Sequence, residues 1–197
     1  MSGGMAIVGL PWETIQTICP PDIYFSGDNS QNIIMISGPS ESLKSFAKEL
    51  TEKRIFVRLL DTCEIAPHSP YMADAGVLLR EYAKEVIPNK TLRSSKWIST
   101  SVSEEDWDSP EAQYMNDIYV ENLLNNQVRF YQASLHIPNN SVVIEVSPKA
   151  TLGIFVEETV PSVRYLPCVL KKNEINPAIF SKENFKSLLR RENDSTF

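Results

Sequence analysis

The sequence predicts an α/β protein: a ferredoxin-like βαββαβ unit followed by a sparser region where strands alternate with helices. Three observations predict it. Between Gly4 and Leu60, short apolar runs bounded by turn residues alternate with helical stripes in the order β-α-β-β-α-β. From Met72 onward, apolar residues recur at helical spacing over a long segment. The run Ser141-Val142-Val143-Ile144-Glu145-Val146 reads as a buried parallel strand.

The elements follow in order. Residues 5–9 form a first strand. Pro11 opens a short helix through Ile15 and Ile18, which Pro20 and Pro21 stop. Residues 22–26 form a second strand. Asp28, Asn29 and Ser30 are expected to turn, because their side chains bond their own backbone readily. Residues 32–36 make a third strand, closed by Ser37-Gly38-Pro39. Leu43, Phe46, Ala47 and Leu50 lie at i, i+3, i+4 and i+7, which gives a helix with one apolar stripe. Lys44, Lys48, Glu49 and Lys53 fall off that stripe. Residues 55–60 are the fourth strand, so residues 4–60 can form a small sheet with two helices on one face.

Pro67 and Pro70 interrupt the next stretch, which reads as a connecting loop from Asp61 to Pro70. Met72, Ala75, Leu79, Tyr82 or Ala83, and Val86 trace the long helix, ended by Pro88. Residues 96–100 are expected as a strand and Ser103 to Asp108 as an acidic loop. Short helices are expected at Tyr119–Leu124 and Val128–Ile137. A helix led by Pro148 runs to about Glu158, and a strand covers 163–169. Ser181 caps a last helix through Phe185, Leu188 and Leu189. This second half offers only three strands, fewer than the roughly five or six of a usual sheet.

Composition excludes several classes. The 197 residues are 42% apolar and 22% charged, ordinary for a folded protein and wrong for a disordered tail or a coiled-coil rod. A net charge of −6 argues against coating nucleic acid through bulk charge. Tyr24, Phe25 and Phe56 lie on the strands of the small unit, yet no RNP-like pattern accompanies them, so RNA binding is set aside. No apolar run approaches a membrane span. Cys19, Cys63 and Cys168 are widely spaced, and with only two histidines no zinc-ligand spacing exists. The N-terminus carries no secretory signal, so reduced thiols in the cytoplasm are expected.

His68 is the foremost candidate for chemistry. It sits in a loop, flanked by Pro67, Ser69 and Pro70, and an imidazole with an ordinary pKa near 6.5 can serve as a general base. A plain loop histidine fits the same spacing. His136 precedes Pro138 and reads as a surface or capping residue. Asp61 and Glu64 would raise rather than lower the pKa of Cys63. The glycines are too scattered for a phosphate loop, and the carboxylates of Glu104, Glu105, Asp106 and Asp108 read as a solvated loop. No G-x-S-x-G elbow occurs. The residues therefore offer a candidate base and no evident nucleophile.

An ordered set of segments then carries a resemblance. Gly4-Met5-Ala6-Ile7-Val8-Gly9, Cys19-Pro20-Pro21, Asn29-Ser30 and Ile36-Ser37-Gly38-Pro39 come first. Ile65-Ala66-Pro67-His68-Ser69, Trp97-Ile98-Ser99-Thr100-Ser101, Asn122-Leu123 with Val128-Arg129-Phe130, and Glu145-Val146-Ser147-Pro148 follow. Over residues 4–172 the chain resembles the malonyl/acetyl transferase domain of animal-type fatty acid synthase, related to the acyltransferase domains of modular polyketide synthases.

The resemblance implies a ferredoxin-like small subdomain over 4–66 and an incomplete α/β-hydrolase-like acyltransferase core over 67–170, with a linker or tail over 171–197. It implies acyl transfer from coenzyme A to the phosphopantetheine thiol of an acyl carrier protein in fatty acid biosynthesis, with no bound cofactor and no metal. His68 would be the catalytic base in both half-reactions. Asn122, Val128 and Phe130 would line the substrate cleft. The elbow serine, the carboxylate-gripping arginine and the oxyanion glutamine of the family precede the small subdomain, so this chain is expected to be inactive alone. Pro67, Gln127 and Lys149 depart from the family pattern at a small or aromatic residue, a proline and a histidine. The alternative is a non-catalytic module that docks an acidic carrier protein, or another synthase domain, on Lys44, Lys48, Lys53 and Arg54.

Overall fold

The computed structural model describes residues 2–109, 112–170, 175 and 176. Two compact units divide it, residues 1–133 and residues 134–197. The expected boundary at 66/67 falls inside the first of them. The expected helix through Phe185 and Leu188 lies outside the described residues.

The first unit is built on a sheet in the order β4-β1-β3-β2-β7. Strands β1 (Gly3–Val8), β2 (Tyr24–Ser30), β3 (Ile33–Pro39) and β4 (Val57–Leu60) pair antiparallel, the arrangement of a split βαβ unit. Helices α1 (Trp12–Ile15) and α2 (Ser40–Glu52) cover it. The stripe read from sequence is the stripe that is buried: Leu43, Phe46 and Leu50 meet Ala6, Val8, Ile34 and Ile36, with Ile15 and Ile23 closing the core. Alternation along β1 and β3 puts these residues on one sheet face. The helix adds its i, i+3, i+7 ridge.

Asp28, Asn29 and Ser30 do not turn. β2 runs through them and the turn falls at Gln31 and Asn32. At Asp28 the side chain is used at long range instead of locally. Asp28 Oδ1 accepts from the Tyr131 N–H at 3.0 Å, and Asn29 and Ser30 are buried. Register shifts between Phe25 and Gly27 and between Asp28 and Ser30 mark bulges in this strand. At the first, Ser37 Oγ donates to Ser26 Oγ at 3.0 Å, both residues buried.

β7 (Val128–Arg129) adds to β2 in parallel, through Gly27↔Val128 and Asp28↔Arg129. Glycine is required at position 27, since a Cβ there would stand 2.8 Å from the Val128 carbonyl oxygen. The helix expected over 128–137 is therefore split, and only α5 (Phe130–Ser134) is helical. Helices α3 (Ala73–Val86) and α4 (Asp117–Asn125) pack together. Asn116 caps α4, its Oδ1 accepting from the Tyr119 N–H. Arg80 clips the two helices through Asp117 at 2.9 Å and Glu121 at 3.4 Å.

No strand forms at 96–100. Only two-residue strands, β5 (Thr91–Leu92) and β6 (Tyr114–Met115), pair in this region. The Arg93 guanidinium gathers the carbonyls of Trp97, Trp107 and Ala112, drawing them away from any strand neighbour.

The second unit pairs β8 (Val142–Glu145) with β9 (Arg164–Pro167) in parallel, with α6 (Gly153–Thr159) between them in sequence. The helix expected from Pro148 begins only at Gly153. The preceding N–H groups of Thr151 and Leu152 are instead drawn to the Glu145 carboxylate, which also accepts from Ser147 and Tyr165. Among the described residues no helix is long and apolar enough to cross a membrane.

Candidate active site

The connection from β4 to α3 delivers His68. Three of its residues, Cys63, Glu64 and His68, hold left-handed backbone at φ 53°, 61° and 57°. Side chains need strong local support to stay there. Asp61 Oδ1 accepts from the Cys63 N–H at 3.1 Å and Thr62 Oγ1 donates to the Ile65 carbonyl at 2.7 Å. Buried Ser69 donates to the Ala66 carbonyl at 2.6 Å.

Both the backbone and the ring of His68 are tied to the C-terminal end of α4. The His68 N–H donates to the Leu124 carbonyl at 2.9 Å, one of the carbonyls a helix end leaves without an intrahelical partner. Nδ1 lies 3.2 Å from the Asn126 carbonyl oxygen. A carbonyl only accepts, so Nδ1 carries the hydrogen and the lone pair sits on Nε2. Burial pushes the imidazole pKa below 6.5, against the opposing pull of the Asn126 and Leu123 carbonyls. The ring is therefore neutral near pH 7 and able to take a proton.

His68 lines a cavity of about 540 Å³. The ferredoxin-like unit contributes Trp12, Tyr24 and Phe25; Ser101, Asn125 and Arg129 come from later segments. Trp12 and Phe25 stack, ring centroids 5.1 Å apart. Aromatic surface joined to a few polar groups is the usual make-up of a ligand pocket. Of the hydroxyls that line it, Ser69 is spent on Ala66 and Ser103 on Asp106 at 2.5 Å. Among the described residues no serine or cysteine is hydrogen-bonded to the ring, and no group of His, Cys, Asp and Glu could hold a metal ion.

The other expected site residues sit one step behind. Asn122 lies on α4, where its Oδ1 accepts from Asn126 Nδ2 at 3.0 Å and its carbonyl from the Asn126 N–H at 3.0 Å. It thus steadies the residue that holds His68. Val128 pairs into β7 and Phe130 opens α5, while the cavity is lined by their neighbours Gln127 and Arg129. Asn126 and Trp12 carry no spacing signal in the sequence, and Ser101 enters there only as the end of the segment Trp97-Ile98-Ser99-Thr100-Ser101. His136 is exposed in the second unit. On α2, Lys44 pairs with Glu41 at 3.0 Å and Lys48 with Glu52 at 4.0 Å, so that face carries both signs of charge.

A split βαβ sheet that helps wall a cavity lined by a carbonyl-anchored histidine defines the domain as α/β. Matching the chain to known families identifies it further. The profile described as "Acyl transferase domain" matches residues 1–184, and the chain belongs to that family. It is 27% identical over 175 residues to a highly reducing polyketide synthase of Aspergillus sclerotiorum, covering 84% of this chain and 7% of that protein. A reducing polyketide synthase of Fusarium langsethiae is 28% identical over 188 residues, 86% of this chain and 8% of its own. Among solved structures, the acyltransferase domain of the polyketide synthase PpsC of Mycobacterium tuberculosis superposes with a TM-score of 0.72 at 20% identity, covering 84% of this chain and 52% of that one. The acyl-carrier-protein S-malonyltransferase of Bartonella henselae gives a TM-score of 0.69 at 18% identity, covering 96% and 58%. The fold is thus that of the acyltransferase domains, and the chain spans little more than half the length of these two solved structures and under a tenth of the two synthases.

Proposed function

We propose that this chain supplies the histidine-bearing part of an acyltransferase that moves acyl groups from coenzyme A to the phosphopantetheine thiol of a carrier protein. The observation that carries the reading is the His68 imidazole, held by the Asn126 carbonyl with its lone pair on Nε2, on the wall of a ligand-sized cavity. In the first half-reaction this nitrogen takes the proton of an attacking serine hydroxyl and returns one to the leaving coenzyme A thiol. In the second it deprotonates the carrier thiol. The sequence holds no G-x-S-x-G, so the serine has to come from outside these 197 residues. The chain by itself is then inactive.

The finer assignment is to a malonyl/acetyl transferase of a fatty acid synthase, on the segments around His68 and Ser147. A second reading, polyketide assembly, is favoured by the curated relatives, which are polyketide synthases.

Radiolabelled malonyl-CoA and acetyl-CoA test the proposal. The purified chain is mixed with a carrier protein, with and without a polypeptide that supplies the G-x-S-x-G segment of a related domain. Label should reach the carrier only with the supplement, and His68→Ala should abolish it. Rapid, His68-dependent loading by the chain alone would refute its incompleteness. Supplemented loading indifferent to His68 would refute the base.

A further inference from the structure

β2 is irregular on either side of one dipeptide. Its register shifts fall between Phe25 and Gly27 and between Asp28 and Ser30, and Gly27 and Asp28 are the two residues that pair with β7. Bulges bend a strand and re-aim its side chains. Here they frame a seat for the segment 128–131. Gly27 makes room for it, with the Val128 carbonyl oxygen 2.8 Å from where a Cβ would stand. Asp28 holds it, Oδ1 accepting the Tyr131 N–H at 3.0 Å in the first turn of α5. Burial pushes the Asp28 carboxyl up, against the opposing pull of the Tyr131 N–H, the Arg129 guanidinium and the Gln132 side chain. These three partners are all clustered at the segment that the seat receives.

The same stretch of chain starts at the acceptor for His68. Asn126 ends α4, its N–H bonded to the Asn122 carbonyl at 3.0 Å, and its backbone is extended at φ −99° and ψ 159°. Its carbonyl belongs to the planar peptide unit that leaves the helix for β7. The direction of that carbonyl is therefore set upstream by α4 and downstream by the seat on β2. It lies 3.2 Å from Nδ1, at the long end of the N–H···O range, so a small displacement of β7 is enough to lose it. We propose that Asp28 is a positioning residue for His68: by anchoring the segment 128–131 it holds the Asn126 carbonyl against Nδ1 and keeps the lone pair on Nε2. Asp28 is not among the residues that line the cavity, so it acts through the carbonyl. The Arg129 N–H is held separately by the Thr100 carbonyl at 2.9 Å, so losing Asp28 should loosen the segment without releasing it. The effect on transfer rests on the acyl-transfer reading above; the effect on the imidazole does not.

Nitrogen-15 imidazole spectra of the ligand-free chain at pH 7.5 test it, His68 being assigned by its absence in His68→Gln. Wild type should show the Nδ1–H tautomer. Asp28→Ala should mix in the Nε2–H form. Asp28→Asn, whose side-chain oxygen can still accept the Tyr131 N–H, should restore the wild-type spectrum. Ile34→Val, a truncation in the same sheet, should lower the melting temperature and leave the tautomer unchanged. In the supplemented enzyme Asp28→Ala should lower kcat about tenfold with KM for malonyl-CoA unchanged, and Asp28→Asn should recover it. Wild type without the Nδ1–H tautomer, an unchanged tautomer in Asp28→Ala, no recovery in Asp28→Asn, an equal change in Ile34→Val, or an unchanged kcat beside His68-dependent transfer would overturn the inference. A tautomer that responds to Asp28 in a chain whose supplemented transfer ignores His68 would support the positioning and overturn the acyl-transfer reading instead. Should Asp28→Ala fail to fold, Asp28→Glu decides, since it keeps the charge and moves the acceptor by one methylene: a changed tautomer supports the inference, and an unchanged one overturns it.

Discussion

Asn126 accepts the Nδ1–H of His68 through its main-chain oxygen at 3.2 Å, across 58 positions of sequence, while its side chain is braced by Asn122 at 3.0 Å. The contact to the ring is main chain, so the bracing side chains tune it without making it. Asn122→Ala should cost at most about 1 kcal/mol of stability, as for one exposed hydrogen bond. Transfer in the supplemented enzyme should fall severalfold but persist. A loss as large as that of His68→Ala would place Asn122 in direct contact with substrate instead.

Burial, opposed by the Asn126 and Leu123 carbonyls, puts the folded-state pKa of His68 below 6.5. In the unfolded chain the ring protonates near 6.5, at higher pH than in the fold. Falling pH therefore loads protons onto the unfolded state first, and stability drops below 6.5 until the folded ring also titrates. Above 6.5 this contribution is flat. Imidazole proton resonances followed against pH should give a midpoint under 6.5 for His68, and His68→Gln should remove the matching slope in melting temperature. A midpoint at or above 6.5 contradicts the desolvated site.

Gly76 lets α3 and α4 approach. A Cβ there would fall 2.7 Å from Asn125 Cγ. In an open helix Gly→Ala gains about 1 kcal/mol. Here the overlap with a buried amide should reverse the sign and cost roughly 1–3 kcal/mol. Urea unfolding of Gly76→Ala measures this, and adding Asn125→Ala should recover most of the loss.

In the second unit, burial alone would raise the pKa of Glu145, but hydrogen bonds from Ser147, Tyr165, Thr151 and Leu152 outweigh it and hold the carboxyl below the ordinary range. Burial and the neighbouring Glu145 in turn push the Tyr165 phenol up. A depressed carboxylate pKa contributes stability present above the unfolded value of about 4.5 and lost as pH falls through the folded one. Glu145→Ala strands two N–H groups and a phenol and should cost roughly 2–4 kcal/mol. Hydrogen exchange at Thr151 and Leu152 should accelerate with it.

Cys19 and Cys63 sit in unlike surroundings. Burial, aided by Asp22, pushes the Cys19 thiol up to about 11, and its Sγ–H points to the Ile23 carbonyl at 3.7 Å. Cys63 is exposed in the left-handed turn. Maleimide labelling of the native chain at pH 7.5, read by mass spectrometry, should modify Cys63 well before Cys19.

What the sequence made legible follows the range of the forces. The stripe Leu43–Phe46–Leu50 and the alternation of β1 and β3 are local periodicities, and both appear where the pattern puts them. A parallel strand at 141–146 was legible from a run of β-branched residues, but that β9 is its partner was not, and Val142–Ile144 are only half-buried. Residues 28–30, 96–100 and 128–129 behaved otherwise, because each has a partner far along the chain: Tyr131 for Asp28, the Arg129 N–H for the Thr100 carbonyl, and Gly27 for Val128. The site divides the same way. His68 stands out by residue type, whereas Asn126 meets the ring through a main-chain oxygen, which residue identity does not encode.

The three left-handed residues between β4 and α3 set a trade between robustness and aim. Asn or Gly at positions 63 and 64 should relieve backbone cost, and a library selected only for heat resistance should drift toward them. The bend that carries the imidazole to α4 depends on that same turn, so hardened descendants should give up turnover. Directed evolution of this domain would do well to leave Cys63 and Glu64 alone.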